Sequence, residues 1–220
     1  MRILGLDPSL TGFGWTIHRT SDDPKDFTGV LEDRGTFKTT KRTPMPWRYL
    51  SHQESLKALL VRAHEDGGVI DFVGIEHPPF KGSYSAGLYA LYMDIWHILL
   101  DWRLPFVCYL PPQLKAYARR VLDETGKMSK QDMKDLFCML YGNPGRFNNN
   151  EADAGVCGFM AGRFAQLLRG EITEDDLLDY EKDMYHGKTG HLRNEGENTK
   201  GKYFDYPDSK YDVIYATEEE

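Results

Sequence analysis

A chain of 220 residues, 40% hydrophobic and 13% aromatic, with a mean hydropathy of −0.55, has the composition of one globular domain with an appendage and is long enough to bury a core. It holds no apolar run of transmembrane length, and the apolar part of MRILGLDPSL is too short for a secretory signal, so no membrane association is expected and the chain is expected to act where it is made. Three cysteines, Cys108, Cys138 and Cys157, cannot all pair and form no Cys-x-x-Cys, which predicts reduced thiols and no zinc site. The net charge of −7 is unevenly spread: residues 171–220 hold 15 of the 34 acidic side chains but 6 of the 27 basic ones, a net of −9, which leaves +2 for residues 1–170. Total charge therefore does not exclude a nucleic-acid partner, because a near-neutral domain can still present a local basic surface.

In chain order, Ile3, Leu4 and Leu6 predict a short strand ending at Asp7, and Gly12–Ile17 a second strand paired to it as a hairpin. Val30, Leu31, Gly35, Thr36 and Phe37 suggest a third. Pro44 and Pro46 announce a helix with apolar positions Leu50, Leu56, Leu59, Leu60 and Ala63, ended by Gly67-Gly68. Val69–Glu76 reads as a central strand covered on both faces, and Ser83–Arg103 as a long apolar helix, with Met93, Trp96, Leu99 and Leu100 as core or dimer contacts and His97 as a structural histidine. A buried strand at 106–110 precedes a helix opened by Pro111-Pro112, one capped by Ser129 and one capped by Asn148 that runs to Gly170. The expected organisation is a domain over 1–170 and an acidic helix, Glu174–Met184, with a polar tail over 171–220.

Acidic residues recur where strands end. Asp7 closes the first strand, Glu76 closes the central one, and Glu151 with Asp153 opens the late helix. In an open α/β sheet such strand ends border the ligand crevice, and carboxylates gathered there are tolerated when a hard divalent cation neutralises them. Each residue also has a plain reading: Asp7 before Pro8 starts a turn, Glu76 is a solvated strand end, Glu151 stands at capping-box distance from Asn148, and Asp153 answers a helix dipole.

Ile3-Leu4-Gly5-Leu6-Asp7-Pro8-Ser9-Leu10-Thr11-Gly12-Phe13-Gly14-Trp15, Ile75-Glu76, Pro111-Pro112-Gln113-Leu114-Lys115 with Gly126–Gln131, and Glu151-Ala152-Asp153-Ala154, in this order, resemble the RuvC-type Holliday junction resolvases, above all their bacteriophage relatives. The resemblance covers residues 1–165. It implies an α/β, RNase H-like three-layer fold with a mixed central sheet flanked by helices. It further implies Asp7, Glu76 and Asp153 as ligands of Mg²⁺, with Mn²⁺ able to substitute, and two-metal hydrolysis of a phosphodiester. Lys115 and Lys130 match lysines placed near the scissile phosphate. The family's second acidic residue on the late helix falls at Asn150 here, so Glu151 is taken as the fourth ligand. Glu151 lies about 200° around a helix from Asp153 and reaches the metal only if the helix starts at or after it. Phe80 or Tyr84, beside Lys81, would stack on an exposed base at the junction centre, and Arg119, Lys127 and Lys130 would contact phosphates.

The activity implied is structure-selective cutting of four-way DNA junctions by paired nicks, carried out by a homodimer in the cytoplasm of a bacterial or phage-infected cell. A flap or Y-fork nuclease of the same fold, and a catalytically silent junction-binding module, are the alternatives. An actin-like sugar kinase is disfavoured, since that fold needs two lobes and this chain has one candidate phosphate loop.

Overall fold

The computed structural model describes residues 1–23, 26–78, 86–185 and 213–214. Six strands form one mixed sheet in the order β3-β2-β1-β4-β5-β6, where β1 is Arg2–Asp7, β2 Gly12–Thr20, β3 Gly29–Lys38, β4 Phe72–Glu76, β5 Phe106–Tyr109 and β6 Val213–Ile214. β1 pairs antiparallel with β2 and parallel with β4, and β4 runs parallel to β5. β6 closes the far edge antiparallel to β5.

Period-2 alternation distributes the strand residues between two cores. Ile3, Phe72 and Val107 face one layer, made of α3 (Pro111–Val121), α4 (Lys130–Tyr141) and α5 (Asn149–Leu168). Leu4, Leu6, Val73, Ile75 and Phe106 face the other, made of α1 (Met45–Gly67) and α2 (Ala86–Asp101). Burial on both faces explains why β1, β4 and β5 read as near-continuous apolar runs. This is the α/β, RNase H-like arrangement.

α5 is the element that fixes the site, and it lies directly on the sheet. A Cβ on Gly5 would overlap the Ala154 carbonyl oxygen, and one on Gly14 would overlap the Asn150 backbone. Only residues without a side chain let the α5 backbone come this close. Asn148 caps the helix by accepting from the Glu151 amide at 3.1 Å, Ser129 caps α4 by accepting from Gln131 and Asp132, and Pro at the first turn opens α3.

Several expected bounds move. The central strand begins at Phe72, not Val69: Gly68 turns the chain at φ 92°, Val69 is exposed, and the ladder starts only where Asp71 exchanges hydrogen bonds with Arg2. Leu50 is exposed while His52 is buried beside it, donating through Nε2 to the Leu10 carbonyl at 3.2 Å. α2 is described from Ala86, and Arg103, at φ 53°, follows its end rather than belonging to it. His97 is exposed, not a core histidine.

Beyond Gly170 the chain continues to pack on the domain. Ile172 and Leu177 are buried in the α3/α4/α5 core, and the expected acidic helix is divided into a 3₁₀ turn at Glu174–Asp176 and α6, Asp179–Tyr185. Glu181 of α6 is fully buried against Arg163 of α5 at 3.3 Å, and its other oxygen accepts from the Leu178 amide. The three cysteines are free, and no helix among the described residues is long and apolar enough to cross a membrane.

Candidate metal centre

Leu6 of β1 lies beside Ile75 of β4, so the next residues of these parallel strands, Asp7 and Glu76, emerge side by side about one strand spacing (~4.8 Å) apart. Their positions in the alternation share the face of Gly5 and Gly74, on which α5 sits. Asp153 completes the group from α5. Carboxylate oxygens of Asp7, Glu76 and Asp153 all lie within 4.8 Å of one another, each residue partly exposed.

Burial and mutual repulsion leave the three reluctant to ionise together. Burial pushes the Asp7 carboxyl well above its ordinary value, aided by the charges of Glu76 and Asp153 and by a hydrogen bond with Glu76. Glu76 is raised to about 7, by burial and then by the Asp153 charge, against the hydrogen bond from Asp7 and the Lys115 ammonium. Asp153 is raised to about 6 by burial, which outweighs Lys115 and Lys130. Asp7 and Glu76 are thus coupled, the charge of each disfavouring ionisation of the other. The Tyr92 hydroxyl donates to the Glu76 carbonyl and holds the end of β4.

The donor set suits a hard divalent ion: three oxygen ligands at converging positions, with no lysine or arginine ion-paired to any of them among the described residues. Lys115 acts through its field on Glu76 and Asp153, and Lys130 on Asp153.

Glu151 is a correction. The helix begins at Asn149, before Glu151, so the condition for its reaching the trio is not met. Its carboxylate is instead turned toward β3, accepting from Thr36 Oγ1 at 3.0 Å and Asn148 Nδ2 at 2.5 Å, with Arg34 Nε at 3.4 Å. The first-turn dipole argument belongs to Glu151 as well, since Asp153 lies beyond the first turn. Asn150 donates through Nδ2 to the Gly12 carbonyl and pins the helix start to the β1–β2 turn.

Arg34 went unnoticed in the sequence. Besides Glu151 it binds the Pro144 and Arg146 carbonyls at 2.7 and 3.2 Å, so one guanidinium ties β3 to the loop that leads into α5. The alternation of β3 offered no signal for it. Among the expected DNA contacts, Lys115 lies exposed on α3, Lys130 is the first residue of α4, Lys127 is exposed in the connection between them, and Arg119 is half-buried in the last turn of α3. Nothing among the described contacts ties Arg119 or Lys127 to the carboxylates. Phe80, Lys81 and Tyr84 lie outside the described residues.

The order of strands, the α5 helix across them and acidic residues at the ends of β1 and β4 define an RNase H-like domain of the RuvC type of fold. The chain is similar to Thermus thermophilus RuvC solved with a Holliday junction substrate, at 17% identity and a TM-score of 0.62 over 76% of this chain and 96% of that one. It is similar to Thermus thermophilus RuvC in a second structure at 17% identity and a TM-score of 0.60, over 77% and 96%. No family model matches the sequence, and no curated protein does.

Proposed function

We propose that this chain is a divalent-metal-dependent endonuclease for branched DNA that resolves four-way junctions by paired nicks. The observation that carries the reading is the convergence of Asp7, Glu76 and Asp153 within 4.8 Å, with no lysine or arginine ion-paired to them among the described residues. The fold shared with RuvC, one of whose structures holds a Holliday junction, supports the substrate class.

In this reading Asp7, Glu76 and Asp153 hold Mg²⁺, with Mn²⁺ able to replace it. Such an ion supplies Lewis-acid polarisation of the phosphodiester and a water nucleophile of lowered pKa. Binding such an ion would favour the ionised form of the three carboxyls, whose pKa values burial raises. Lys115 and Lys130 stabilise charge developing on the phosphoryl oxygens, while their partial screening of Asp153 keeps that carboxylate available. Lys127 and Arg119 are assigned to flanking phosphates, and Phe80, Lys81 and Tyr84 to the junction centre.

Paired nicks call for two sites related by two-fold symmetry, and a homodimer supplies them. α2 offers a surface for a second copy: Tyr89, Met93 and Leu100 are exposed at spacings that align them on one helix face. The cytoplasm of a bacterial or phage-infected cell is where such a substrate would be met.

The test is cleavage of an end-labelled immobile four-way junction beside a Y-fork, a flap and a linear duplex, in Mg²⁺ or EDTA, with Asp7→Asn as control. Symmetric nicks confined to the junction, dependent on metal and lost in the variant, are expected, from a dimer by sedimentation equilibrium. Cutting confined to forks or flaps selects the branched-DNA alternative. Junction binding without cutting in any divalent metal contradicts the enzyme reading.

A further inference from the structure

The most basic stretch of the sequence plays no part in the contacts assigned so far. Residues 34–53 hold Arg34, Lys38, Lys41, Arg42 and Arg48 and no Asp or Glu, and no other stretch between successive acidic residues holds as many basic ones. In a chain of net charge −7, this is a marked local excess.

Two of the five are committed to the fold. Arg34 is held by Glu151, and Arg48 donates to the Thr43 carbonyl at 2.7 Å and to the Lys41 carbonyl, which shapes the loop between β3 and α1. The loop is fastened in turn to the β1–β2 turn: the Thr39 amide donates to Thr11, the Thr39 hydroxyl donates to Leu10, and His52 meets the same Leu10 carbonyl at 3.2 Å. The remaining three, Lys38, Lys41 and Arg42, are exposed and enter no ion pair among the described residues. Beside them Trp47, in the first turn of α1, is 62% exposed and stacks on no ring among the described residues. A tryptophan of that exposure is unusual, since its large apolar surface normally finds cover.

The sheet places this group next to the carboxylates. At one edge of the sheet lie, in spatial order, the end of β3 at Lys38, the start of β2 at Gly12, the end of β1 at Asp7, the end of β4 at Glu76 and the end of β5 at Tyr109, from which α3 departs with Lys115. With strands ~4.8 Å apart, Lys38 stands about 10 Å to one side of Asp7, and the β5–α3 connection about as far to the other. The carboxylates therefore sit between two basic flanks, of which only the Lys115/Lys130 flank has a role so far.

We propose that Lys38, Lys41, Arg42 and Trp47 form a second DNA contact on the β3 side of the carboxylates, the three cations taking backbone phosphates and the Trp47 ring stacking on an unpaired base at the branch. The proposal rests on the reading of the chain as a branched-DNA nuclease and adds the strand's path across the site. Cations grouped around an exposed aromatic face suit a polyanion with stackable bases. A protein partner fits less well, because the centres of protein interfaces are depleted in lysine.

The experiment is binding of the full-length protein to fluorescent four-way junction, single-stranded DNA and linear duplex, without divalent metal, over a salt series. Lys41→Ala combined with Arg42→Ala is expected to weaken all three DNAs and to lower the slope of log K against log[salt] by about 2. Trp47→Ala is expected to cost about tenfold on the single strand and on a junction with unpaired central bases, to leave duplex binding and the salt slope in place, and to be rescued by Trp47→Phe. Arg169→Ala, at the opposite end of the sheet, is the control and leaves both quantities unchanged. An unchanged slope in the double variant together with unchanged single-strand affinity in Trp47→Ala would overturn the proposal and leave Trp47 to a protein partner. Failure of the wild type to prefer junction over duplex would instead count against the branched-DNA reading, while the slope and the Trp47 effect still decide the contact itself.

Discussion

α5 buries charge twice, ten residues apart, and solves the problem in opposite ways. At its C-terminal half Arg163 meets Glu181 at 3.3 Å, and the pair is completed by the Asp176 carbonyl and the Leu178 amide. At its N-terminal half Asp153 meets Asp7 and Glu76, three groups of one sign with no ion-paired cation among the described residues, eased by the field of Lys115 and Lys130. Buried charge that is paired and hydrogen-bonded holds structure together, whereas a buried like-charge group stores unfavourable energy that a cation from outside relieves. The first region is built for the fold, and the second has the charge balance that the proposed metal site needs.

The contrast makes opposite forecasts for removing one carboxylate at each end. Asp7→Asn or Asp153→Asn is expected to lower the rate of junction cleavage by more than about 10³-fold, the scale at which groups stabilising a transition-state charge act. The same variants are expected to raise the unfolding free energy of the metal-free protein at pH 8. Glu181→Ala is expected to do the reverse: it leaves Arg163 buried without its partner and costs about 3–5 kcal/mol in denaturant unfolding, while the remaining folded fraction cleaves normally. A Glu181→Ala protein as stable as the wild type, or an Asp153→Asn protein less stable, would erase the distinction between the two regions.

The pH dependence sharpens it. A carboxyl whose pKa is raised by folding contributes stability that is complete below its unfolded value and is lost as pH rises through its folded value. For Glu76 that window runs from 4.5 to about 7, and for Asp153 from 3.8 to about 6. Metal-free protein is therefore expected to lose about 3 kcal/mol through Glu76 between pH 4.5 and 8, and the loss is expected to shrink in Glu76→Gln. The smallest effects fall on the clamp between β3 and α5. Arg34→Ala and Glu151→Gln are expected to cost about 1 kcal/mol in stability and to raise the Mg²⁺ concentration for half-maximal cleavage severalfold, since they loosen the helix that carries Asp153 without touching the trio. A loss of rate in Glu151→Gln as large as in Asp153→Asn would restore Glu151 as a ligand.

How much of this the sequence discloses depends on the range of the interaction. Asp7 and Glu76 are legible because each follows a strand whose apolar pattern and C-terminal end are written locally. Asp153 is legible only as one of two acidic residues at the start of the late helix, since which of Asn150, Glu151 and Asp153 faces the sheet turns on a helix start that Asn148 sets within one residue; the resemblance alone makes Asp153 a ligand, and Glu151 is misplaced for the same reason. Strand order, with Lys38 and Lys115 on opposite flanks, is a tertiary fact without a local signature. The basic stretch itself was countable in the sequence, but its meaning needed the strand ends that put it beside Asp7. The Arg163–Glu181 pair was hidden because the acidic composition after Gly170 resembles a solvated tail, and only Ile172 and Leu177 mark the segment as packed.

The central claim, that the trio waits for a divalent cation, is tested most directly by denaturant unfolding of the wild type and of Asp153→Asn at pH 8, each with and without saturating Mg²⁺. The account predicts that Mg²⁺ raises the wild-type midpoint, that Asp153→Asn raises it without metal, and that Mg²⁺ adds little to the variant. Equal midpoints for the wild type in Mg²⁺ and EDTA, with Asp153→Asn no more stable than either, would contradict it.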